Sequence, residues 1–220
     1  MDYTVVEMTA EQLDEERVVF GGLAESMRAL ADASLRTTVS PDVVSEVRKE
    51  IDLLTARLRK EQIPGHFGVS LSSEGTVRGY GNAVVGLRNP IAPPLEIERS
   101  DEGRAWSSFQ LGALYEGPPG MVHGGVAALV LDQLLGEAAA AGGSPGMTGT
   151  LTLRYEQATP LGSCSGEAWI DSVDGVKTIV KGELRRADGE TTVRAEGVFI
   201  LPRWARDALE EHHRKPPRFE

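Results

Sequence analysis

The stretch of sequence that decides the fold is YEGPPGMVHGGVAALVLDQLLGEAAAAG, residues 115–142. Its first part, GPPG at residues 117–120, predicts a loop, because these residues fit neither a helix interior nor a central strand. After His123 the sequence becomes almost wholly apolar. Such a run is typical of a helix that its surroundings bury on every side.

An acidic residue, Asp132, falls within this apolar segment without an apparent partner. An ionised carboxylate in a buried helix costs free energy unless it is paired or used in chemistry. The glycines that open the helix, Gly124 and Gly125, leave backbone N–H groups that can receive an anion or oxyanion. An oxyanion site and a lone acid together indicate acyl chemistry. The alternative is an interface carboxylate that neighbouring N–H groups satisfy.

Length and composition indicate a globular protein with one domain and an extension, or with two small domains: 220 residues, 40% of them apolar. The single cysteine, Cys164, excludes an internal disulfide and multi-cysteine metal sites. The net charge of −10 argues against a broad nucleic-acid surface. Basic residues between positions 177 and 194 still leave room for a small anionic ligand. Without a signal pattern or a long apolar run, we expect a cytoplasmic protein with no membrane span.

Residues 1–62 predict a helical extension. Thr9 and Gln12 form a capping box that starts a first helix, and residues 23–31 continue with a second helical stretch. A third helix begins at Ser40 and Pro41. Its apolar stripe has helical spacing and consists of Val44, Val47, Ile51, Leu54 and Leu58. We expect this arm to pack on the main domain or on a second subunit rather than to form a separate binding module.

Residues 63–204 predict strands and turns around the central helix, followed by a charged tail at 205–220. One strand is expected at 106–114, before the loop. Four more follow the helix at 148–157, 164–173, 177–186 and 191–201. Asp-Gly pairs at 174–175 and 188–189 are typical of hairpin turns, so these strands are antiparallel. One long helix with an antiparallel meander is an α+β architecture in which the sheet covers the helix.

The motif G-P-P-G-x-V-H-G-G-x-x-A-x-x-x-D at residues 117–132 resembles that of acyl-CoA thioesterases of the phenylacetate-degradation type and their mammalian thioesterase-superfamily relatives. The resemblance covers about residues 65–201 and implies the hotdog fold, an antiparallel sheet wrapped around a long central helix. It also implies an acyl-CoA thioesterase of lipid metabolism, which hydrolyses its thioester to a free acid and CoA without a cofactor or metal. Because hotdog folds also include dehydratases and inactive modules, a non-catalytic module that binds acyl thioesters or serves assembly is the alternative.

The resemblance implies roles for four residues at the start and middle of the helix. Asp132 is the nucleophile or the general base that activates water. Gly124 or Gly125 donates its N–H to the thioester carbonyl oxygen, which becomes negative in the transition state. His123 orients the loop and lies at the substrate-binding end of the site.

Two further positions follow from the same resemblance. Thr148, at the start of the strand after the helix, matches a hydroxyl that positions water or the acid in some relatives. Thr150 is the second choice, since residues two apart share a strand face. Many relatives have an asparagine before the HGG motif, where this chain has Glu116-Gly117.

Helix dimensions predict how many chains build one site. Gly124 and Asp132 are eight residues apart, so they lie about 12 Å apart along one helix. One carbonyl group cannot contact both, because attack requires reacting atoms about 3 Å apart. The two groups converge only if a second copy of the helix runs alongside in the opposite direction. We therefore expect a homodimer or a larger homo-oligomer whose acyl-CoA sites are shared between chains.

Three other sequence patterns could mark a functional site, but each gives weaker evidence than the HGG motif. Residues 142–146 match the G-x-S-x-G nucleophile elbow, but a helix precedes them and a strand follows, the reverse of what that motif requires. The serine is also followed by Pro145, which has no N–H for an oxyanion hole. Cys164 is expected to be a structural thiol. The alternative is a reactive thiol paired with a histidine that is distant in sequence. His212 and His213 lack the spacing of a metal site.

Overall fold

The computed structural model describes residues 4–72, 77–93 and 95–202, which contain three α-helices and two β-sheets. The helices are α1 (Ala10–Arg36), α2 (Pro41–Leu58) and α3 (Gly124–Ala141), with a 3₁₀ turn at Ala113–Tyr115. The strands are β1 (Thr4–Val6), β2 (Ser70–Ser72), β3 (Val77–Arg78), β4 (Glu98–Ser100), β5 (Arg104–Leu111), β6 (Met147–Tyr155), β7 (Gly162–Asp174), β8 (Lys177–Arg186) and β9 (Thr191–Ile200). The predicted tail, residues 205–220, lies outside the described residues.

The main sheet has six antiparallel strands in the order β4-β5-β7-β8-β9-β6. The α+β class and all five predicted strands around the central helix are confirmed. One connection differs from a simple meander, because β6 pairs with β9 and not with β7, its successor in sequence. The Asp-Gly turns join β7 to β8 and β8 to β9, whereas the longer segment 156–161 carries the chain across the sheet. β6 is therefore an edge strand.

Helix α3 packs across one face of this sheet and contacts all six strands. Leu134 and Leu135 are fully buried there, and each burial contributes about 2 kcal/mol. Glycines make room for them. A Cβ on Gly166 would lie 2.5 Å from Leu134, and a Cβ on Gly182 or Gly197 would lie 2.8 or 2.9 Å from Leu135. The close approach of helix and sheet therefore depends on small residues in three adjacent strands.

One face of α3 is left uncovered by the chain's own sheet. Gly125, Leu129, Asp132 and Gly136 follow one another along it at helical spacing, and none of them is buried. Leu129 is 39% exposed. The expectation of a helix buried on every side is therefore met on the sheet side only. An apolar helix face without a cover is a surface on which another molecule can pack.

Helix α3 is also the one helix among the described residues whose length and mean hydropathy of 1.3 fit a membrane span. Composition alone does not separate such a span from the core helix of a sheet. In this chain the helix contacts six strands. The expectation that no segment is long and apolar enough to span a membrane is therefore wrong by length and composition, and the packing of α3 on the sheet is what argues against a span.

The N-terminal extension contains two helices within the described residues, not the three that were predicted. α1 starts at the predicted capping box, where Gln12 N–H donates to the Thr9 hydroxyl over 3.2 Å. It then continues without interruption through Gly21 and Gly22. Gly21 is buried, and a Cβ there would lie 3.0 Å from Leu87 Cδ1. The glycine therefore serves close packing and does not end the helix.

A buried ion cluster ties α1 to the rest of the chain. Glu16 pairs with Arg78 and, over 3.2 Å, with Arg88. The Arg88 guanidinium also lies 3.6 Å from the ring centroid of Phe20, a cation–π contact. α1 thus follows the expectation of an arm packed on the main domain, whereas α2 has no buried side chain.

Charged residues alternate across several strands of the main sheet. Glu167 of β7 pairs with Arg104 of β5 and, over 3.3 Å, with Arg185 of β8. Arg185 also pairs with Glu183, which accepts a hydrogen bond from Arg194 of β9 over 2.8 Å. The hydrogen bond from Arg104 is the main reason why the pKa of Glu167 is held below its usual range.

Candidate active site

The loop before α3 is a tight, internally bonded turn. His123 N–H donates to Tyr115 C=O over 2.9 Å, and Glu116 Oε1 accepts from Gly120 N–H over 2.7 Å. A Cβ on Gly117 would lie 2.7 Å from His123 Cα, so only glycine fits there without displacing the backbone. Glu116, near the position where many relatives have an asparagine, therefore contributes a hydrogen bond within the loop.

The first turn of α3 separates the two proposed N–H donors. Nδ1 of His123 accepts a hydrogen bond from Gly125 N–H over 3.0 Å and caps the helix. An imidazole that accepts at Nδ1 carries its proton on Nε2 when neutral. Gly124 N–H has no acceptor among the described residues. Of the two, Gly124 is the donor available to a ligand, at the positive end of the helix dipole.

Asp132 and Thr148, which the sequence singled out separately, are brought together. The Thr148 hydroxyl donates to Asp132 Oδ1 over 2.8 Å. Asp132 is half-buried on the uncovered face of α3, and Thr148 is exposed near the start of β6. No hydrogen bond to Asp132 Oδ2 occurs within the described ranges. One oxygen is therefore held by the hydroxyl and the other is free for a reactant.

Thr150 does not share the strand face of Thr148, contrary to the expectation from simple alternation. Thr148 pairs with Phe199 and Thr150 with the adjacent Val198, so the register shifts at Gly149. A bulge of this kind places one extra residue in a strand and reverses the alternation beyond it. Thr150 therefore faces away from the Thr148 side, and Thr148 is the only one of the two that contacts Asp132.

Tyr155 is a further residue at this site that the sequence did not suggest. Its hydroxyl donates to the backbone C=O of Gly124 over 2.8 Å. A Cβ on Gly124 would lie 3.4 Å from the Tyr155 ring. The side chain is 54% exposed, and nothing in its local sequence marks it. The contact joins residues 31 apart in the chain, so only the pairing of β6 beside α3 reveals it.

Strand β6 therefore holds α3 at two points. Thr148 near its start binds the acid, and Tyr155 at its end binds the helix N-terminus. Gly124 and Asp132 still belong to one continuous helix, about 12 Å apart by helix geometry. A single chain thus presents a carboxylate and an N–H without an acceptor among the described residues, but not at one point.

The competing nucleophile candidates do not form a second site. α3 ends at Ala141 and β6 begins at Met147, so the G-x-S-x-G segment is a helix-to-strand loop, as predicted. Cys164 is 4% exposed and packs in the hydrophobic core. Burial raises the pKa of this thiol, which disfavours the reactive thiolate. His212 and His213 lie outside the described residues.

The basic segment 177–194 is largely used within the chain. Each of four cations has a carboxylate partner: Lys181 pairs with Asp171, Arg185 with Glu167 and Glu183, Arg186 with Asp188 and Glu190, and Arg194 with Glu183 and Glu156. This leaves less positive charge for a small anion than the sequence indicates. Any anionic ligand would have to compete with these carboxylates.

Comparison with known proteins identifies relatives for part of the chain. No family model matches it. Over 108 residues the chain is 32% identical to acyl-coenzyme A thioesterase THEM4 of Bos taurus, which covers 47% of this chain and 44% of that protein. Over 101 residues it is 33% identical to acyl-coenzyme A thioesterase THEM4 of Xenopus laevis, covering 45% and 46%. The chain spans less than half the length of these two relatives.

A solved structure extends the similarity to most of the chain. The crystal structure of a thioesterase superfamily protein matches with a TM-score of 0.74 and 34% identity, over 82% of this chain and 90% of that one. The central helix on a six-stranded antiparallel sheet, with the HGG loop at its start, defines a hotdog-fold protein. Because the match covers nine tenths of a relative at this identity, the chain belongs to the thioesterase superfamily. The resemblance inferred from residues 117–132 is confirmed.

Proposed function

We propose that the protein is an acyl-CoA thioesterase that hydrolyses an acyl-CoA thioester to the free acid and CoA. The observation that carries the proposal is the 2.8 Å hydrogen bond from Thr148 to Asp132 on the uncovered face of α3. Superfamily membership and the acyl-coenzyme A thioesterase relatives support the substrate class. The proposal includes a role in lipid metabolism and a cytoplasmic location.

In the proposed reaction Asp132 acts through the oxygen that Thr148 leaves free. Either the carboxylate attacks the thioester carbonyl carbon, or it removes a proton from a water that attacks. In both routes a C–O bond forms and the carbonyl electron pair moves onto oxygen. The C–S bond then breaks, and CoA leaves as a thiolate that takes up a proton. If Asp132 is the nucleophile, water then hydrolyses the acyl–Asp132 anhydride, which releases the free acid and restores the carboxylate. If Asp132 is the base, attack by water gives the free acid directly. Thr148 keeps the carboxylate in one orientation while this occurs.

The developing oxyanion is proposed to bind at the start of α3. Gly124 N–H is unoccupied within the described chain and lies at the positive end of the helix dipole. His123 supports this turn by capping Gly125. The Tyr155 hydroxyl donates to Gly124 C=O and so fixes the Gly124–Gly125 peptide in the first turn of α3. Removing one oxyanion donor from an enzyme typically costs a factor of about 10²–10³ in turnover.

We further propose that each site draws on two chains in a homodimer or larger homo-oligomer. The helix spacing separates Gly124 and Asp132 by about 12 Å within one chain. The uncovered face of α3 carries Asp132, and exposed side chains of β6 such as Met147 and Tyr155 lie on the adjacent strand. An antiparallel second copy of α3 would cover this face and bring Gly124 of one chain to Asp132 of the other. The acyl chain would then lie beside the paired helices.

A thioester-cleavage assay tests the proposal directly. Purified protein is given acyl-CoA substrates of graded chain length, and the released CoA thiol is measured against an Asp132→Asn variant. Cys164 is present in both proteins and therefore cancels in the comparison. Cleavage by the wild type but not by the variant supports a thioesterase. Binding of acyl-CoA without cleavage of any substrate would instead identify a non-catalytic module.

A further inference from the structure

Helix α2 extends from the domain without a partner in its own chain. It spans Pro41–Leu58, has no buried side chain, and makes no extensive contact with another helix or strand among the described residues. Residues Thr37 and Ser40, which flank its link to α1, are both extended. In proteins most of the stability of a helix comes from the packing of its amphipathic face. The helix therefore needs packing that one chain does not supply.

The exposed side of α2 has the pattern of a coiled-coil seam. Its apolar residues recur with spacings of three and four: Val44, Val47, Ile51, Leu54 and Leu58. Val47 is 39% exposed, and Leu54 and Leu58 are 53% and 52% exposed. A three-four repeat keeps one stripe facing a second helix along the whole length. The stripe fits another amphipathic helix better than a curved or polar surface.

We infer that this stripe packs against α2 of a second copy of the chain, with the two helices antiparallel. Glu50 and Arg57 each precede a seam residue, and neither has an ion-pair partner in the described chain. When Ile51 is packed on Leu54 of the second copy, Glu50 lies beside Arg57 of that copy. Two-fold symmetry repeats the pair, so two interchain salt bridges form. Charges beside the seam set orientation and register in such helix pairs.

The alternative arrangements are disfavoured by the same charges. Sliding one helix past the other by a heptad in one direction places Glu50 beside Glu50 and Arg48 beside Arg48. Sliding it in the other direction places Arg57 beside Arg57. A parallel pair puts Glu50 beside Thr55, without a counter-charge, and aligns the two helix dipoles unfavourably. Like charges across a seam are destabilising. One register therefore satisfies both the apolar stripe and its flanking charges.

This contact goes beyond the proposed catalytic function: it rests on the proposed homo-oligomer but not on thioester cleavage. The active-site proposal concerns the uncovered face of α3, whereas this interface uses the arm outside the hotdog sheet. Two short helices bury too little surface to hold a dimer alone. The α2 pair is therefore an additional contact between copies of the chain that are also joined elsewhere. It gives the N-terminal arm a role in assembly.

Paired cysteines test whether this side of α2 faces a second copy of the chain. Glu50→Cys with Arg57→Cys in one chain gives two thiols about 10.5 Å apart along the helix, too far for an internal disulfide. Across the inferred interface each thiol meets its counterpart on the second copy. The matched control is Lys49→Cys with Ala56→Cys, which has the same spacing on the opposite side of α2. We expect mild oxidation to give a covalent dimer on a non-reducing gel for the first variant only. The inference is overturned if both double-cysteine variants cross-link equally, or if the Glu50→Cys/Arg57→Cys variant does not cross-link.

Charge reversal gives an independent test that needs no disulfide. Glu50→Arg places like charges at both contacts, and adding Arg57→Glu restores opposite charges. We expect amide hydrogen exchange of residues 44–58 to rise about tenfold in the single variant and to return in the double variant. If the double variant exchanges as fast as the single one, no charge pair joins two copies of α2. Because neither readout uses thioester cleavage, failure here is distinct from failure of the proposed function.

Discussion

The Thr148 hydroxyl donates a 2.8 Å hydrogen bond to Asp132 Oδ1, and this bond joins the edge strand β6 to the middle of α3. A hydroxyl that donates to a carboxylate oxygen fixes the orientation of that carboxylate. The second oxygen stays free, within the described residues, for water or a thioester carbon. An acid that is oriented yet incompletely satisfied is the arrangement that a nucleophile or general base requires.

Asp132→Asn is expected to lower thioester hydrolysis by about two orders of magnitude or more, because the amide is neither a nucleophile nor a base. Asparagine keeps an oxygen that can accept from Thr148, so the local structure should persist. Steady-state kinetics with acyl-CoA measures the effect, and circular dichroism checks the fold. A well-folded variant that turns over at the wild-type rate would show that Asp132 is neither the nucleophile nor the general base.

Thr148→Ala is expected to lower kcat by about tenfold to a hundredfold with a smaller change in KM, as for a residue that positions the attacking group. Thr148→Ser is the matched control, because it keeps the hydroxyl and removes only a methyl group. Its kcat should stay near that of the wild type. If alanine and serine give the same kcat, the hydroxyl has no part in the reaction.

Tyr155→Phe removes one hydroxyl and keeps the ring beside Gly124. A lost hydrogen bond is worth about 0.5–1.5 kcal/mol, so kcat should fall roughly two- to tenfold if the bond orients the start of α3. KM and the melting temperature should change little, because the side chain is 54% exposed. A melting temperature that falls while kcat is unchanged would assign the contact to stability alone.

The sequence predicted the parts of this molecule that local chemistry determines. The capping box at Thr9, the Asp-Gly hairpins and the HGG loop each specify their own conformation within a few residues. Contacts between distant segments were harder to predict. The pairing of β6 with β9, the bulge at Gly149 and the Tyr155 hydrogen bond depend on how strands meet in space.

The N-terminal arm illustrates the same limit. Residues 23–31 were predicted as a separate helical stretch, but α1 continues through Gly21 and Gly22, although glycine has poor helix propensity. Gly21 lies against Leu87, a contact that no local pattern indicates. Burial of that glycine offsets its poor helix propensity.

Stability at acid pH should depend on Glu167. Its pKa is lowered in the folded chain, mainly by the hydrogen bond from Arg104. A lowered folded-state pKa means that the stabilisation is complete above the unfolded pKa, about 4.3, and is lost as the pH falls through the folded pKa. Glu167→Gln should therefore lower the melting temperature at pH 7, and this deficit should shrink as the pH falls below about 4.3.

The control for this prediction is Glu98→Gln, since Glu98 is exposed on β4 and has no ion pair in the described chain. That variant should follow the wild-type melting curve at both pH values. A Glu167→Gln deficit that is equally large at pH 7 and pH 3 would mean that the lost stability comes from packing and not from the ionised carboxylate.

Mixing two inactive homodimers tests whether one site is built from two chains. Asp132→Asn removes the carboxylate in the middle of α3, and Gly124→Pro removes the backbone N–H at the start of α3. Each variant alone carries its lesion in both sites. In a mixed dimer one site has both lesions and the other has neither, because the intact site takes Asp132 from the proline variant and Gly124 from the asparagine variant.

After random subunit exchange, activity should return to about a quarter of the wild-type value, since half of the dimers are mixed and each holds one intact site. Each variant must be folded and dimeric by itself, because a proline at a helix start can disturb the loop. Gly125→Pro extends the test to the second glycine, although His123 already accepts the Gly125 N–H in this structure. Folded, demonstrably exchanged mixtures that stay inactive with both proline variants would mean that Asp132 acts with groups of its own chain.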